Sequence, residues 1–160
     1  MQQSFLTPIL AGDLEAWNGL PKQLPAEELL HLLGTPLQQQ TECLGYYPAD
    51  KWIFDIAGRT IYTYIREKKV VMVEIPQQSL PAITAWPSDP CGILPHQLLY
   101  PEAYAHEYIY CTKGLQLTIA RFFQHQRPDE VIRCRGFVPV ASVLDFGPYY
   151  YKAFEDEDSY

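Results

Sequence analysis

The sequence lacks most of the features that announce a chemistry. It holds no run of about 18 apolar residues, the length a membrane-spanning helix needs. Its opening stretch, Met1-Gln2-Gln3-Ser4-Phe5-Leu6-Thr7-Pro8, has neither the basic nor the long apolar segment of an export signal. The expectation is a cytoplasmic protein. Cysteine is sparse, with residues at 43, 91, 111 and 134 and no C-x-x-C spacing, which excludes the short zinc and redox motifs. In a reducing compartment these would be buried free thiols. Positive charge is the scarcer sign: 12 Lys and Arg against 19 Asp and Glu give a net charge of −7. That balance makes a nucleic-acid backbone a poor partner and a neutral or basic protein a better one.

Catalytic signatures are missing as well. There is no G-x-S-x-G elbow around Ser4, Ser79, Ser88 or Ser142. The nine glycines are scattered, and Gly58-Arg59-Thr60 lacks the frame of a phosphate loop. His31, His96, His106 and His125 form no H-E-x-x-H or H-x-H group, so no metal ligand set is expected. The carboxylates Asp13, Glu15, Asp55, Glu74 and Asp89 show no acid–base pairing, and Glu74 in a strand is expected to answer Arg66 or Lys68 across a hairpin. Cys134 lies between Arg133 and Arg135, whose charge could lower a thiol pKa. In a strand, however, those arginines point to the opposite face. No catalytic residue and no cofactor is therefore expected. The alternative is a small enzyme using Cys134, Cys111 or a histidine.

What the sequence does contain is material for a core. Hydrophobic residues make up 48% of the 160, enough for one compact domain over residues 1–154, with an acidic tail over 155–160. A short helix is expected at Asp13–Asn18, capped by Asp13 and anchored by Trp17. A clearer one starts at Pro25, carries Glu27 and Glu28 in its first turn, and stops at Gly34. Residues 35–50 read as irregular. Strands are expected at Trp52–Ala57, Arg59–Arg66 and Val70–Ile75, then at Glu107–Thr112, Leu115–Phe123 and Glu130–Phe137. The proline-rich stretch between the triplets allows a short helix at Leu94–Leu99. Val140–Phe154 should pack back on the body.

The two triplets match each other. Trp52-Ile53-Phe54-Asp55-Ile56-Ala57-Gly58 aligns with Tyr108-Ile109-Tyr110-Cys111-Thr112-Lys113-Gly114, an offset of 108 − 52 = 56 residues. Upstream, Leu24-Pro25 with Leu29-Leu30 faces Leu94-Pro95 with Leu98-Leu99. The expected fold is α+β, two αβββ units (about 24–75 and 94–137) sharing a continuous antiparallel sheet with helices on one face.

Such a tandem resembles the β-lactamase inhibitory proteins. Each unit is also similar to the small outer-membrane assembly lipoproteins, through Leu32-Leu33-Gly34-Thr35-Pro36 followed by Trp52-Ile53-Phe54. The resemblance implies a non-catalytic binding protein, an inhibitor by analogy with the first family, with an exposed sheet face; by size and acidity the chain also resembles immunity proteins that neutralise bacterial toxins. Both exported families carry signals that this sequence does not show, so their compartment does not carry over.

Alternation gives candidate contact residues. Tyr62, Tyr64 and Arg66 share one side of their strand, opposite Ile61, Thr63 and Ile65. Tyr108 and Tyr110 form a second aromatic pair, whose direction depends on register. Tyr and Arg are enriched at binding hot spots, which makes these five the expected partner-binding residues. The structural alternative is that the rings cover neighbouring backbone.

Overall fold

The computed structural model describes residues 4–99, 103–124 and 127–150. Its centre is one antiparallel sheet of eight strands: β1 (Gln38–Leu44), β2 (Tyr47–Ile56), β3 (Arg59–Arg66), β4 (Lys69–Pro76), β5 (Gly92–Leu99), β6 (Ala103–Tyr110), β7 (Leu115–Phe122) and β8 (Glu130–Phe137). The spatial order is β1-β2-β3-β4-β8-β7-β6-β5. Two four-stranded meanders therefore meet at β4 and β8, paired from Met72↔Phe137 to Pro76↔Arg133. The α+β class and the continuous antiparallel sheet are as expected.

Each half nevertheless has four strands where three were expected. The helix expected at Leu94–Leu99 is strand β5, and the irregular stretch after Gly34 holds β1. Both are outer strands. Proline is tolerated there, and Pro95 sits where the β5–β6 register shifts. The other early helix also differs: α1 is Thr7–Ala11, with Pro8 in its first turn, while Asp13 instead accepts from the Ala16 amide at 3.3 Å in a turn. Helix α2 (Ala26–Leu33) stands where proline, glutamates and glycine placed it.

Strand alternation divides the sheet into two faces. On one, Phe54, Ile65, Val73, Ile75, Leu117 and Cys134 form the main core with Leu6 just before α1, Ile9 of α1 and Leu29 of α2. Trp17 seals it: its indole Nε1 donates to the Gly114 carbonyl at 2.9 Å. Its ring lies so close to Gly136 that a Cβ there would stand 2.4 Å from Cζ2, so only glycine leaves room. Trp52 and Phe54 of the first half and Tyr108 and Tyr110 of the second all pack in this core.

Helix α3 (Val143–Tyr150) packs on the opposite face, where Phe146 and Tyr150 meet Phe137, Tyr64 and Met72. Helices thus stand on both faces rather than one. The expected acidic tail, 155–160, lies outside the described residues. No helix among the described residues is long and apolar enough to cross a membrane.

Candidate functional site

The five residues expected to bind a partner do not share a surface. Register decides this. Tyr62 pairs with Glu74, Glu74 with Arg135, Arg135 with Gln116, and Gln116 with Ile109, so Tyr62 lies on the α3 face with Ile109. Tyr108 and Tyr110 point the other way, into the main core. Tyr64 is 0% exposed. Tyr62 is half-buried, with the Lys51 ammonium 4.0 Å from its ring centroid.

Arg66 is half-buried and tied down. Its guanidinium donates to the carbonyls of Leu44, Tyr47, Pro48 and Tyr149, joining the β1–β2 turn to α3. Burial lowers its pKa despite nearby phenols. It builds a surface rather than offering one. What it builds is aromatic: Tyr47 and Tyr149 stack with centroids 5.3 Å apart and planes 16° from parallel, and Arg66 lies 5.8 Å from the Tyr47 ring centroid. The Tyr46 amide donates to the Pro148 carbonyl of α3 at 2.8 Å. Tyr46 is 84% exposed, and Leu144 on α3 is 86% exposed. Between the strand ends and α3 runs a groove of about 770 Å³, lined among others by Tyr47, Pro48, Arg66, Lys69 and Tyr149.

The face that alternation marks as polar is buried rather than solvated. Glu107 accepts from Gln116 Nε2 at 2.8 Å, Thr118 Oγ1 at 2.6 Å and Arg133 Nη2 at 2.8 Å. Beside this cluster Arg135 Nε meets Glu74 at 2.5 Å. Glu74 answers β8 across the junction, not Arg66 or Lys68 across its own hairpin. Burial alone would raise the Glu74 pKa, but the charges of Arg135 and Arg133 and the Arg135 hydrogen bond hold it below the ordinary value. Arg133 is lowered, by burial first and by the like charge of Arg135 second.

These charged residues were missed as a group. Arg133 and Arg135 stand two apart in an apolar strand and so share a face, which is the one signal available. Their partners Glu107 and Glu74 lie 133 − 107 = 26 and 135 − 74 = 61 residues away.

The cysteines depart from the free-thiol expectation. Cys91 and Cys111 form a disulfide, with Cα atoms 6.0 Å apart, while Cys43 is free and exposed and Cys134 free and buried. Burial pushes the Cys134 thiol far up, the reverse of an activated nucleophile. Of the histidines, His31 is exposed on α2, and His106 is half-buried with Nδ1 unpartnered among the described residues.

No protein-family model and no curated protein matches the chain. Among solved structures it is similar to an extracellular protein containing an SCP domain from Bacillus anthracis str. Ames, at 11% identity and a TM-score of 0.39. The match covers 77% of this chain and 46% of that one, so the chain spans about half the length of that protein.

Proposed function

We propose that the chain is a non-enzymatic protein-binding module, an inhibitor or immunity-type protein, that engages a neutral or basic protein partner through the Tyr47–Tyr149 groove. The observation that carries this is the exposed aromatic stack itself. Large rings held in the open by a fixed guanidinium lose little conformational freedom on binding and bring area with a polar tip, the composition of a hot spot. Exposed Tyr46 and Leu144 extend the apolar surface. The net charge of −7 favours encounter with a basic surface. The tandem-unit resemblance supports the same class of function. The buried Cys134 thiol and the disulfide at Cys111 weigh against the thiol-dependent enzyme. That disulfide also weighs towards an oxidising compartment in place of the cytosol expected from free thiols.

The test is a comparison of wild type with Tyr47→Ala/Tyr149→Ala. A partner captured by wild type should bind the double variant at least about thirtyfold more weakly, equivalent to a hot spot of about 2 kcal/mol. Denaturant midpoints should stay close together, because both rings are exposed. Equal affinity of the two proteins for that partner would remove the groove from the interface.

A further inference from the structure

The Cys91–Cys111 disulfide joins two regions of unequal firmness. Cys111 belongs to the interior: it is 2% exposed and packs in the cluster of Met72, Phe137 and Phe146. Its carbonyl accepts from the Val140 amide at 3.0 Å and the Gly114 amide at 3.2 Å, which fixes the β6–β7 turn. Cys91 is exposed and stands just before β5. No residue from 80 to 94 is fully buried. One sulfur is therefore anchored in the core and the other in a thinly covered edge.

The ladder that holds this edge is weak. Among the described residues β5 pairs with β6 alone. It runs from Gly92↔Ile109 to Pro95↔His106, shifts register, and resumes at Leu98↔Tyr104. Pro95 has no N–H to give it. Ile93 is 50% exposed and Leu94 half-buried. Segments with so few buried contacts open at lower free energy than core strands. The disulfide and the Cys91 amide, which donates to the Ile109 carbonyl at 2.8 Å, close the ladder at its start. Both cysteines also border a surface hollow of about 320 Å³, which gives a reagent room to approach. Exposed disulfides are the labile ones, and a thiolate attacks whichever sulfur it can reach. With Cys111 enclosed, that is Cys91 Sγ. The chain's own exposed thiol, Cys43, lies on β1 at the opposite edge of the sheet, so the attacking thiol comes from outside.

We propose that Cys91–Cys111 is a thiol-exchange site: an external dithiol reduces it in the folded protein, and cleavage frees β5 and the 86–91 segment before it while the other seven strands stay paired. A thiolate of the dithiol attacks Cys91 Sγ, forming a mixed disulfide and releasing Cys111 as a thiolate. The second thiolate of the reductant then closes on its own bonded sulfur and releases Cys91. Each freed cysteine takes up a proton. Two electrons pass to the protein, and the dithiol leaves as a cyclic disulfide. Once β5 is free, β6 becomes the outer strand. The hollow shares no residue with the Tyr47–Tyr149 groove, and neither reading depends on the other.

The test uses the full chain carrying Cys43→Ser, which removes the exposed thiol and with it disulfide exchange between copies. Dithiothreitol without denaturant should reduce the bond at a rate proportional to its concentration and insensitive to urea below the unfolding transition. A monothiol, glutathione, should give a mixed disulfide on Cys91, with Cys111 the thiol that iodoacetamide captures after a denaturing quench. Circular dichroism of the reduced protein should still report a folded sheet. Hydrogen exchange followed by mass spectrometry should then show amides of 86–94 exchanging at least about tenfold faster than in the oxidised protein, while β3 and β7 stay protected over the same labelling time. Cys91→Ser should show the same local loss with no reductant present. Reduction that proceeds only where urea unfolds the protein would overturn the proposal, as would the adduct on Cys111, loss of the whole sheet on reduction, or equal protection of 86–94 in both redox states.

Discussion

Glu107 is completely enclosed and accepts three hydrogen bonds, one of them from a guanidinium that is itself buried. Such a pair is weak evidence of net stabilisation, because two charges were taken out of water to make it. Its members cannot be removed singly. Arg133→Met should cost about 3–5 kcal/mol, since it leaves Glu107 buried without its cation. Adding Glu107→Leu should recover part of that loss in urea unfolding, though Gln116 and Thr118 would still miss their acceptor. Glu74 carries a pH dependence of known sign. Its pKa is depressed in the fold by Arg135 and Arg133 acting against burial. The stabilisation is therefore present above the unfolded carboxyl value, near 4.3, and is lost as pH falls through the lower folded value. Unfolding free energy measured between pH 7 and pH 2 should fall more steeply in wild type than in Glu74→Gln; parallel curves would show that the pair contributes nothing to acid sensitivity.

At the scale of elements, strands with two buried sides were legible in the sequence and those at the margins were not. β3, β7 and β8 alternate or run apolar because both faces are covered, and their limits were visible to within a residue. β1 is Gln-Gln-Gln-Thr-Glu-Cys-Leu, an outer strand with few apolar contacts, and so reads as loop. β5 carries Pro95, which excludes a central strand but not an outer one. The candidate site suffered from a related ambiguity. Alternation placed Tyr62, Tyr64 and Arg66 on one side correctly, yet only the α3 contacts to Phe137, Tyr64 and Met72 show that this side is covered. The Tyr47–Tyr149 stack joins residues 102 apart in sequence, beyond the reach of any local pattern. The Cys91–Cys111 bond ties the start of β5 to the β6–β7 turn and restrains an otherwise exposed edge. Thiol titration of the denatured, unreduced protein should therefore find two reactive groups, Cys43 and Cys134, and four after reduction. Reduction should lower stability by about 2–4 kcal/mol, and four thiols before reduction would exclude the bond.

The whole molecule is built from two similar meanders that do not own separate interiors. Phe54, Ile65, Val73 and Ile75 come from the first, and Tyr110, Leu115, Leu117 and Cys134 from the second, yet all eight belong to one core. Among the described residues only β4 and β8 join the halves by strand pairing, over five residue pairs, so side-chain burial rather than the ladder makes the junction strong. Trp17, which precedes the first meander, reaches into the second through the Gly114 carbonyl and the open space at Gly136. Exposing either meander would strand the apolar face of the other in water, and the helices α1 and α2 would lose the sheet they cover. Unfolding in urea should accordingly be a single transition, with far-ultraviolet circular dichroism, which reports all eight strands, and tryptophan fluorescence giving the same midpoint. Two separated midpoints would instead assign each meander a core of its own and return the chain to a pair of independent units.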